Sequence, residues 1–406
     1  MEKIDLTVGV LSLKNLRAKP VRTACLVVVV AVLAFTLFGG SILALNLRQG
    51  LETMTKRFGA DLMIVPEGAG ERAQTLLLRG GSTFFYFDAG IVDKVAQIEG
   101  VLCASPQFFL TSLSAECCDA AVQLIAYDPA TDFVVQPWIA EKRGKQVIDG
   151  QVVIGSRVNP GSRGVIRLFN HEYPVAAQLS RSASGLDTSI FMTMNTMRDL
   201  VGRARTEGYN FLAIQEKEAV RGRVSAILAK TDQGKAQSGI VSAIRKEAGG
   251  VDVLISQRIF AGIAGTLSGL VKYIHIFSIG LWILALVVLA AVFSGTIHER
   301  KKEFALLRIL GATRKRLIGV VLSESSIASI AGGVAGVILA SLAVFPFATL
   351  ISERLELPYL DAPFFNIILL LLGSLLLSAL AGPLASLYAA LRISKAETYF
   401  TMREGE

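Results

Sequence analysis

The sequence predicts a membrane α-helical fold: four transmembrane helices, split one plus three, with a large mixed α/β extracytoplasmic domain inserted between the first and second spans. Three observations carry this. The chain of 406 residues is 52% hydrophobic and only 18% charged, with a mean hydropathy of +0.53, whereas soluble domains carry about 25% charged residues. The stretches 23–47, 276–297, 325–352 and 362–391 hold no charged side chain, and each reaches the roughly 20 residues that cross a bilayer core as a helix. The block 48–272, in contrast, has an ordinary soluble density of charge. At about 225 residues it can fold as one or two domains. A cytosolic enzyme is excluded, and so is a protein made of spans alone.

The elements follow in chain order. Residues 1–22 form a cytoplasmic amphipathic lead, with Ile4, Val8, Leu11 and Leu16 near one helical face and Lys14 and Arg17 elsewhere, the pattern of a helix lying in the membrane interface. Pro20 then breaks or turns the chain. Residues 23–47 are the first span, too long an apolar run for a cleaved signal peptide. Within 48–272, strand-like runs are 61–65, 101–114, 122–127, 151–154, 164–169, 173–179, 190–194, 211–215 and 251–255. Helical patterns cover 89–98, 195–205, 219–229 and 236–248. The Gly-rich stretch 66–82 reads as a loop, and the punctuation at 128–150 and 155–163 separates two subdomains. A helix beginning near 257 runs without a break signal into the second span, 273–297, as a rigid rod. A cytoplasmic loop at 298–316, a third span at 317–347, a short external loop at 348–363, a fourth span at 364–391 and a cytoplasmic tail at 392–406 complete the chain.

The net charge of +8 and pI near 9.3 are explained by position, not by a nucleic-acid partner. Lys3, Lys14, Arg17, Lys19 and Arg22 precede the first span, Arg300, Lys301, Lys302, Arg308, Arg314, Lys315 and Arg316 follow the second, and Arg392, Lys395 and Arg403 follow the fourth. Short basic loops stay in the cytoplasm, so both termini are expected inside and 48–272 outside. Cys25 lies in the first span, while Cys103, Cys117 and Cys118 lie in the external block, where disulfides are permitted. Three is odd, so the expectation is one bridge, Cys103 to Cys117 or Cys118, and one spare thiol. The same cysteines, with His171 more remotely, are also candidates for a soft metal, although adjacent cysteines rarely make a tetrahedral site unaided.

The segment HERKKEFALLRILGATRKRLIGVV, from His298 to Val321, is the most informative. Phe304, Leu307 and Leu310 recur at helical spacing among the charged Glu299, Arg300, Lys301, Lys302, Glu303 and Arg308, and Gly311 stands where a C-cap would be. Such a helix in a tight loop suits docking into a groove on a soluble partner; the plainer reading is a positive-inside loop. Glu324 would cost around 3 kcal/mol in mid-bilayer. It either pairs with a basic group such as Arg300 or Arg316 or snorkels to water. Gly332, Gly336 and Ala340 give a small-xxx-small face, which fits a dimer interface or packing within the chain. Pro346 and Pro383 would kink or end their helices. The aromatics Phe84, Phe85, Tyr86 and Phe87 are an external apolar run that fits buried core or a contact patch.

The run ERKKEFALLRILGATRKRL, the following Glu324 and the glycines Gly332, Gly333 and Gly336 resemble the signature of the MacB/FtsX-like ABC transporter permeases. The lead SLKNLRAKPVRTACLVV, starting at Ser12, and the ending GPLASLYAALRISKAE, from Gly382 to Glu397, are similar to the family's entry to its first span and exit from its fourth. Lys395 departs from the pattern, where a proline is usual. The resemblance implies a non-catalytic permease subunit of a bacterial inner membrane, working by mechanotransmission. Its ATPase, with ATP and Mg, would be a separate cytoplasmic chain, and no GxxxxGK[ST] loop occurs here. It further implies no cofactor on this chain, a coupling helix at Glu299–Leu310, and a second permease copy or paralogue. A periplasmic or outer-membrane partner, and export or extraction of a lipoprotein, peptide or hydrophobic molecule, complete the implied picture. Two alternatives stand beside it: a signalling permease that activates a periplasmic or cell-wall enzyme, and a metal- or haem-linked transporter.

Overall fold

A computed structural model describes residues 8–112, 118, 122–143, 147–161, 163–209, 222–232, 234–309, 311–354 and 358–395. The chain divides into two compact units, a helical one (Met1–Asn46, Leu267–Glu353 and Asp361–Glu406) and an α/β one (Leu47–Thr266 with Arg354–Leu360). The chain enters through α1 (Val8–Ala18) and α2 (Pro20–Phe58). Pro20 stands at the first position of α2, where its missing N–H and fixed φ suit a helix start.

The α/β unit is built on β1 (Leu62–Pro66), α3 (Gly70–Arg79), β2 (Phe87–Asp88), α4 (Gly90–Ala96), β3 (Val101–Thr111), β4 (Gln123–Tyr127), α5 (Val135–Arg143), β5 (Val152–Ile154), β6 (Val165–Leu168), β7 (His171–Gln178), β8 (Ser189–Thr193), α6 (Met194–Thr206), β9 (Arg223–Val224), β10 (Ala226–Thr231), α7 (Gln237–Ala248) and β11 (Val251–Ile255). Among the described residues these strands make a nine-stranded sheet in the order β11-β1-β10-β3-β4-β8-β5-β7-β6, with β2 and β9 paired separately. Pairings are antiparallel except β4 with β8 and β5 with β7. Side chains alternate faces along each strand. Met63, Val65, Phe109, Ile125 and Tyr127 share one core with Ala73, Leu76 and Leu77 of α3. On the opposite face, Leu62 and Ile64 pack with Val95 of α4 and Ile240 and Ile244 of α7, while Phe108, Leu124 and Ala126 pack with Met197 and Leu200 of α6. Each of the buried Val, Leu, Ile, Phe and Met side chains among these stabilises the unit by roughly 1.5–3 kcal/mol.

Three expectations need correction. The stretch 66–82 is not a loop throughout: α3 occupies its middle, because Ala73, Leu76 and Leu77 lie on one helical face that the sheet buries. Gly80, at φ +78°, ends that helix. The helical reading of 219–229 fails at its C-terminal part. Ala226–Thr231 is the strand β10, paired to β1 and β3 on its two edges, and this pairing overrides the helix preference of Ala226, Leu228, Ala229 and Lys230. Finally, the punctuated region 128–150 contains α5, whose N-terminal N–H groups at Val135 and Gln136 donate to the Asp132 carboxylate at 2.8 and 2.7 Å. Residues 211–215, read as a strand, lie outside the described residues.

From β11 the chain passes directly into α8 (Ser256–Glu299), which is unbroken over 44 residues as the absence of a break signal predicts. It continues through α9 (Lys301–Ile309), α10 (Arg314–Arg354) and α11 (Phe364–Lys395). Among the described residues, four helices, α2, α8, α10 and α11, are long and apolar enough to cross a membrane. In the helical unit Leu26, Val30 and Leu33 of α2 pack with Leu289 and Phe293 of α8, Ala328 of α10 and Ala381 of α11. A side chain at Gly332 would come within 2.6 Å of the Val27 carbonyl, and one at Gly336 would collide with the Ala31 carbonyl. The small-residue face of α10 is therefore packed against α2 of the same chain. Pro346 and Pro383 lie inside helices that continue past them.

Candidate functional site

The segment between α8 and α10 is short and tightly capped. Arg300 alone separates α8 from α9, with its N–H donating to the Thr296 carbonyl at 3.1 Å and its carbonyl accepting from Phe304 at 3.0 Å. At the other end Gly311 takes φ +92°. Its N–H donates to Arg308 O at 3.0 Å and the Ala312 N–H donates to Leu307 O at 2.9 Å. This is a Schellman termination, which needs a left-handed residue at that position. Thr313 restarts the chain by accepting from Arg316 and Leu317, so one helix stops and the next begins within a few residues.

The capping fixes which face of α9 turns inward. Phe304 and Ala305 are buried, and Leu307 packs half-buried beside them against Ile297, Leu317 and Val321. Leu306 and Ile309 point the other way, 61% and 63% exposed. Of the predicted docking residues, Phe304 and Leu307 thus belong to the core, and the apolar side chains offered to solvent are two that the sequence reading passed over. The helical spacing was right, but spacing alone does not say which of two apolar faces the neighbouring helices cover. Glu299 and Glu303 are exposed, with Glu299 3.6 Å from Lys19. The side chains of Lys301 and Lys302, and Leu310 altogether, lie outside the described residues.

Beneath α9 lies a buried charge cluster. Arg300, 7% exposed, donates from Nη1 to Glu324 Oε1 at 3.0 Å and Oε2 at 3.2 Å, and from Nε to Glu303 Oε2 at 2.7 Å. Its guanidinium also lies 5.1 Å from the centre of the Phe304 ring. Burial works against the Arg300 charge, but Glu303 and Glu324 outweigh it and hold its pKa above the ordinary arginine value. Glu324 is 3% exposed, so it does not snorkel to water, and Arg316, the other basic partner considered for it, is exposed. Two further groups reach the same carboxylate: Asn15 of α1 donates to Oε1 at 2.7 Å, and Arg22 of α2 stands 3.8 Å from Oε2. Ser12, also on α1, donates to the Val320 carbonyl of α10 at 3.3 Å. Segments far apart in the chain therefore meet on one acidic side chain. Asn15 and Arg22 were missed from sequence; their only signal was a polar residue on the inner side of an otherwise amphipathic lead.

The remaining candidates belong to the α/β unit. Among the described residues no disulfide joins Cys103 to Cys118. Cys118 is buried and its Sγ accepts the Phe169 N–H at 3.3 Å. Cys117, the alternative partner, is outside the described residues. Among the described residues no group of three or more His, Cys, Asp or Glu could hold a metal ion. Of the external aromatics, Phe85 is buried and stacks edge-on to Phe109, whereas Phe84 is exposed.

Comparison with known proteins agrees with the loop signature. Residues 275–397 match the FtsX-like permease C-terminal family. An uncharacterized ABC transporter permease of Methanocaldococcus jannaschii is 28% identical over 186 residues, 44% of this chain and 42% of that protein. The match thus spans less than half of the relative's length. Among solved structures, the periplasmic region of MacB from Actinobacillus actinomycetemcomitans aligns at 12% identity and a TM-score of 0.32, over 52% of this chain and 95% of that one. The extracellular domain of the noncanonic ABC-type transporter YknZ from Gram-positive bacteria aligns at 11% and 0.26, over 48% and 98%.

Proposed function

We propose that this multi-pass membrane chain, with its FtsX-like permease domain, is the membrane subunit of an ABC-type transporter whose ATPase is a separate cytoplasmic chain. The observation that carries this reading is α9: a capped helix with its inner face buried and Leu306 and Ile309 left exposed. An exposed pair of large apolar residues on a short capped helix is the chemistry of a helix that docks in a groove on a partner. The clustering of basic residues in this loop and at both ends of the chain supports a cytoplasmic position for all three.

In this mechanism ATP-driven closure of the ATPase pushes α9. Arg300 and Glu324 pass the displacement to α10, Asn15 and Arg22 pass it to α1 and α2, and the unbroken α8 carries it toward the α/β domain. Cargo such as a lipoprotein, peptide or hydrophobic molecule would be handled on the outer side. The spans lack the acid–base relay expected of a proton-driven pump. Two such permease chains, identical or related, complete the transporter.

The test is co-purification of the ATPase from native membranes. Leu306→Asp with Ile309→Asp is expected to abolish ATPase retention while the permease still inserts and unfolds at the native temperature. Undiminished ATPase binding by that variant would sink the docking assignment.

A further inference from the structure

β11 is an end strand of the nine-stranded sheet, with β1 as its one paired neighbour among the described residues. The hydrogen bonds at its ends fix which backbone groups it uses. Ser256 N–H donates to Asp61 O and Glu67 N–H donates to Gly250 O, both at 2.9 Å. In an antiparallel pair the residues that face the partner strand alternate, so Asp252 and Leu254 turn their N–H and C=O groups toward β1. Val251 and Val253 turn theirs outward, away from the sheet, as does the N–H of Ile255, whose C=O takes the first intrahelical bond of α8.

That outward edge is the floor of a groove of about 340 Å³. Val241 and Arg245 of α7 form one wall, over one face of the sheet. Gln74 of α3 and Arg258 and Ile259 of the first turn of α8 form the other, over the opposite face. Helices thus stand on both sides of the strand edge and leave a slot along it. Val241 and Ile259 are buried and apolar, while Arg245 and Arg258 are exposed. Edge strands are normally guarded by outward charges, prolines or bulges. The one charge in β11, Asp252, instead accepts the Gly68 N–H at 2.9 Å, and its side chain leaves the edge unguarded.

We propose that β11 is a docking edge for an extended acidic segment of a protein partner, which adds to the sheet as a further strand. Its backbone pairs with Val251, Val253 and Ile255, its apolar side chains enter between Val241 and Ile259, and its carboxylates meet Arg245 and Arg258. Backbone pairing supplies affinity and the alternating side chains supply selectivity. The basic pair favours an acidic segment over a second copy of β11, which would bring the same two arginines to the same groove.

The experiment uses the full chain in detergent micelles and, as probe, a fluorescein-labelled octapeptide of the repeat Val-Val-Glu-Glu, which puts valine and glutamate on both faces of the added strand, read by anisotropy. Saturable binding is expected. N-methylation of the peptide amides that face β11, or Arg245→Glu with Arg258→Glu, is expected to weaken it by about tenfold or more. Val253→Pro removes one outward N–H without touching the ladder to β1 and is expected to do the same. If that variant fails to fold, the N-methylated peptide decides. Absence of saturable binding at millimolar peptide, or equal binding of the N-methylated and parent peptides, overturns the proposal. Self-association of the chain that Val253→Pro abolishes would assign the edge to a second copy and overturn it as well.

Discussion

Arg300 and Glu324 are 24 positions apart in sequence and 3.0 Å apart in space, on either side of the α9 loop, and both are almost wholly shut off from solvent. The pair is held by Asn15 on one side and Glu303 on the other, so neither charge is left to burial alone. Buried ions are costly, and removing one partner leaves the other uncompensated. Glu324→Leu is therefore expected to lower stability by about 3–5 kcal/mol. Arg300→Met combined with Glu324→Leu should recover part of that loss, because no buried guanidinium then faces an empty acceptor. Thermal unfolding of the double variant and of Glu324→Leu and Arg300→Met singly, all purified in detergent, checks this; a double variant as unstable as the sum of both single ones would show that the groups act independently.

The inner and outer apolar residues of α9 should separate stability from coupling. Phe304 is buried against the Arg300 guanidinium and the helical core, so Phe304→Ala is expected to cost about 3–5 kcal/mol. Leu306 touches little and Leu306→Ala should stay within about 0.5 kcal/mol of the native chain. Its effect should fall instead on ATP turnover by the reconstituted complex. Equal destabilisation by the two substitutions would mean that α9 is buried on both faces.

What the sequence made legible, and what it did not, follows from the range of the interactions. The spans, the α9 segment and its Gly311 stop rest on periodicity and local backbone chemistry, and these can be read a few residues at a time. For Glu324 the sequence offered a basic partner such as Arg300 or Arg316, beside snorkelling to water, because charge in an apolar helix demands a counterion or solvent. Asn15 and Arg22 carried no such demand and emerge only when α1 and α2 are placed. β10 was misread because Ala226–Thr231 favours a helix in isolation, and only pairing on both edges makes it a strand. Which apolar residues of α9 turn inward was not legible for the same reason: two apolar faces were available, and neighbouring helices chose between them.

Asp132 makes the stability of the α/β unit depend on pH in a defined direction. Burial pushes its carboxyl above the ordinary value, the nearby Asp128 adds to this, and the backbone N–H groups of Gln136, Val134 and Val135 only partly oppose it. A raised carboxyl favours the folded state when protonated. That contribution is complete below the unfolded value and is lost as pH rises through the folded one. Asp132→Asn keeps an oxygen to cap α5 without the buried charge. It is expected to raise the unfolding temperature near pH 7, with the gain shrinking as pH falls below the usual carboxylate range of about 4. Asp132→Ala also removes the buried charge but loses the cap, so it should be less stable than Asp132→Asn by about 1 kcal/mol at every pH. An asparagine variant less stable than the native chain at neutral pH would refute the sign.

Packing of α10 on α2 gives the last test, and it distinguishes contact within a chain from contact between copies. A Cβ at Gly336 would strike the Ala31 carbonyl and lie 2.7 Å from Ala34 Cβ, whereas one at Gly280 meets nothing within 4 Å. A backbone carbonyl cannot rotate away as a side-chain tip can, so Gly336→Ala must push the two helices apart at a cost of about 1–3 kcal/mol. Gly280→Ala is expected to be neutral or to gain up to about 1 kcal/mol from helix propensity. Both variants are to be unfolded in the same detergent, and their mass in solution followed by light scattering. Because the Gly336 face is filled by α2 of its own chain, the loss should appear in unfolding and leave the oligomeric state unchanged. A variant that dissociates copies while unfolding at the native temperature would place that face at an interface between chains instead.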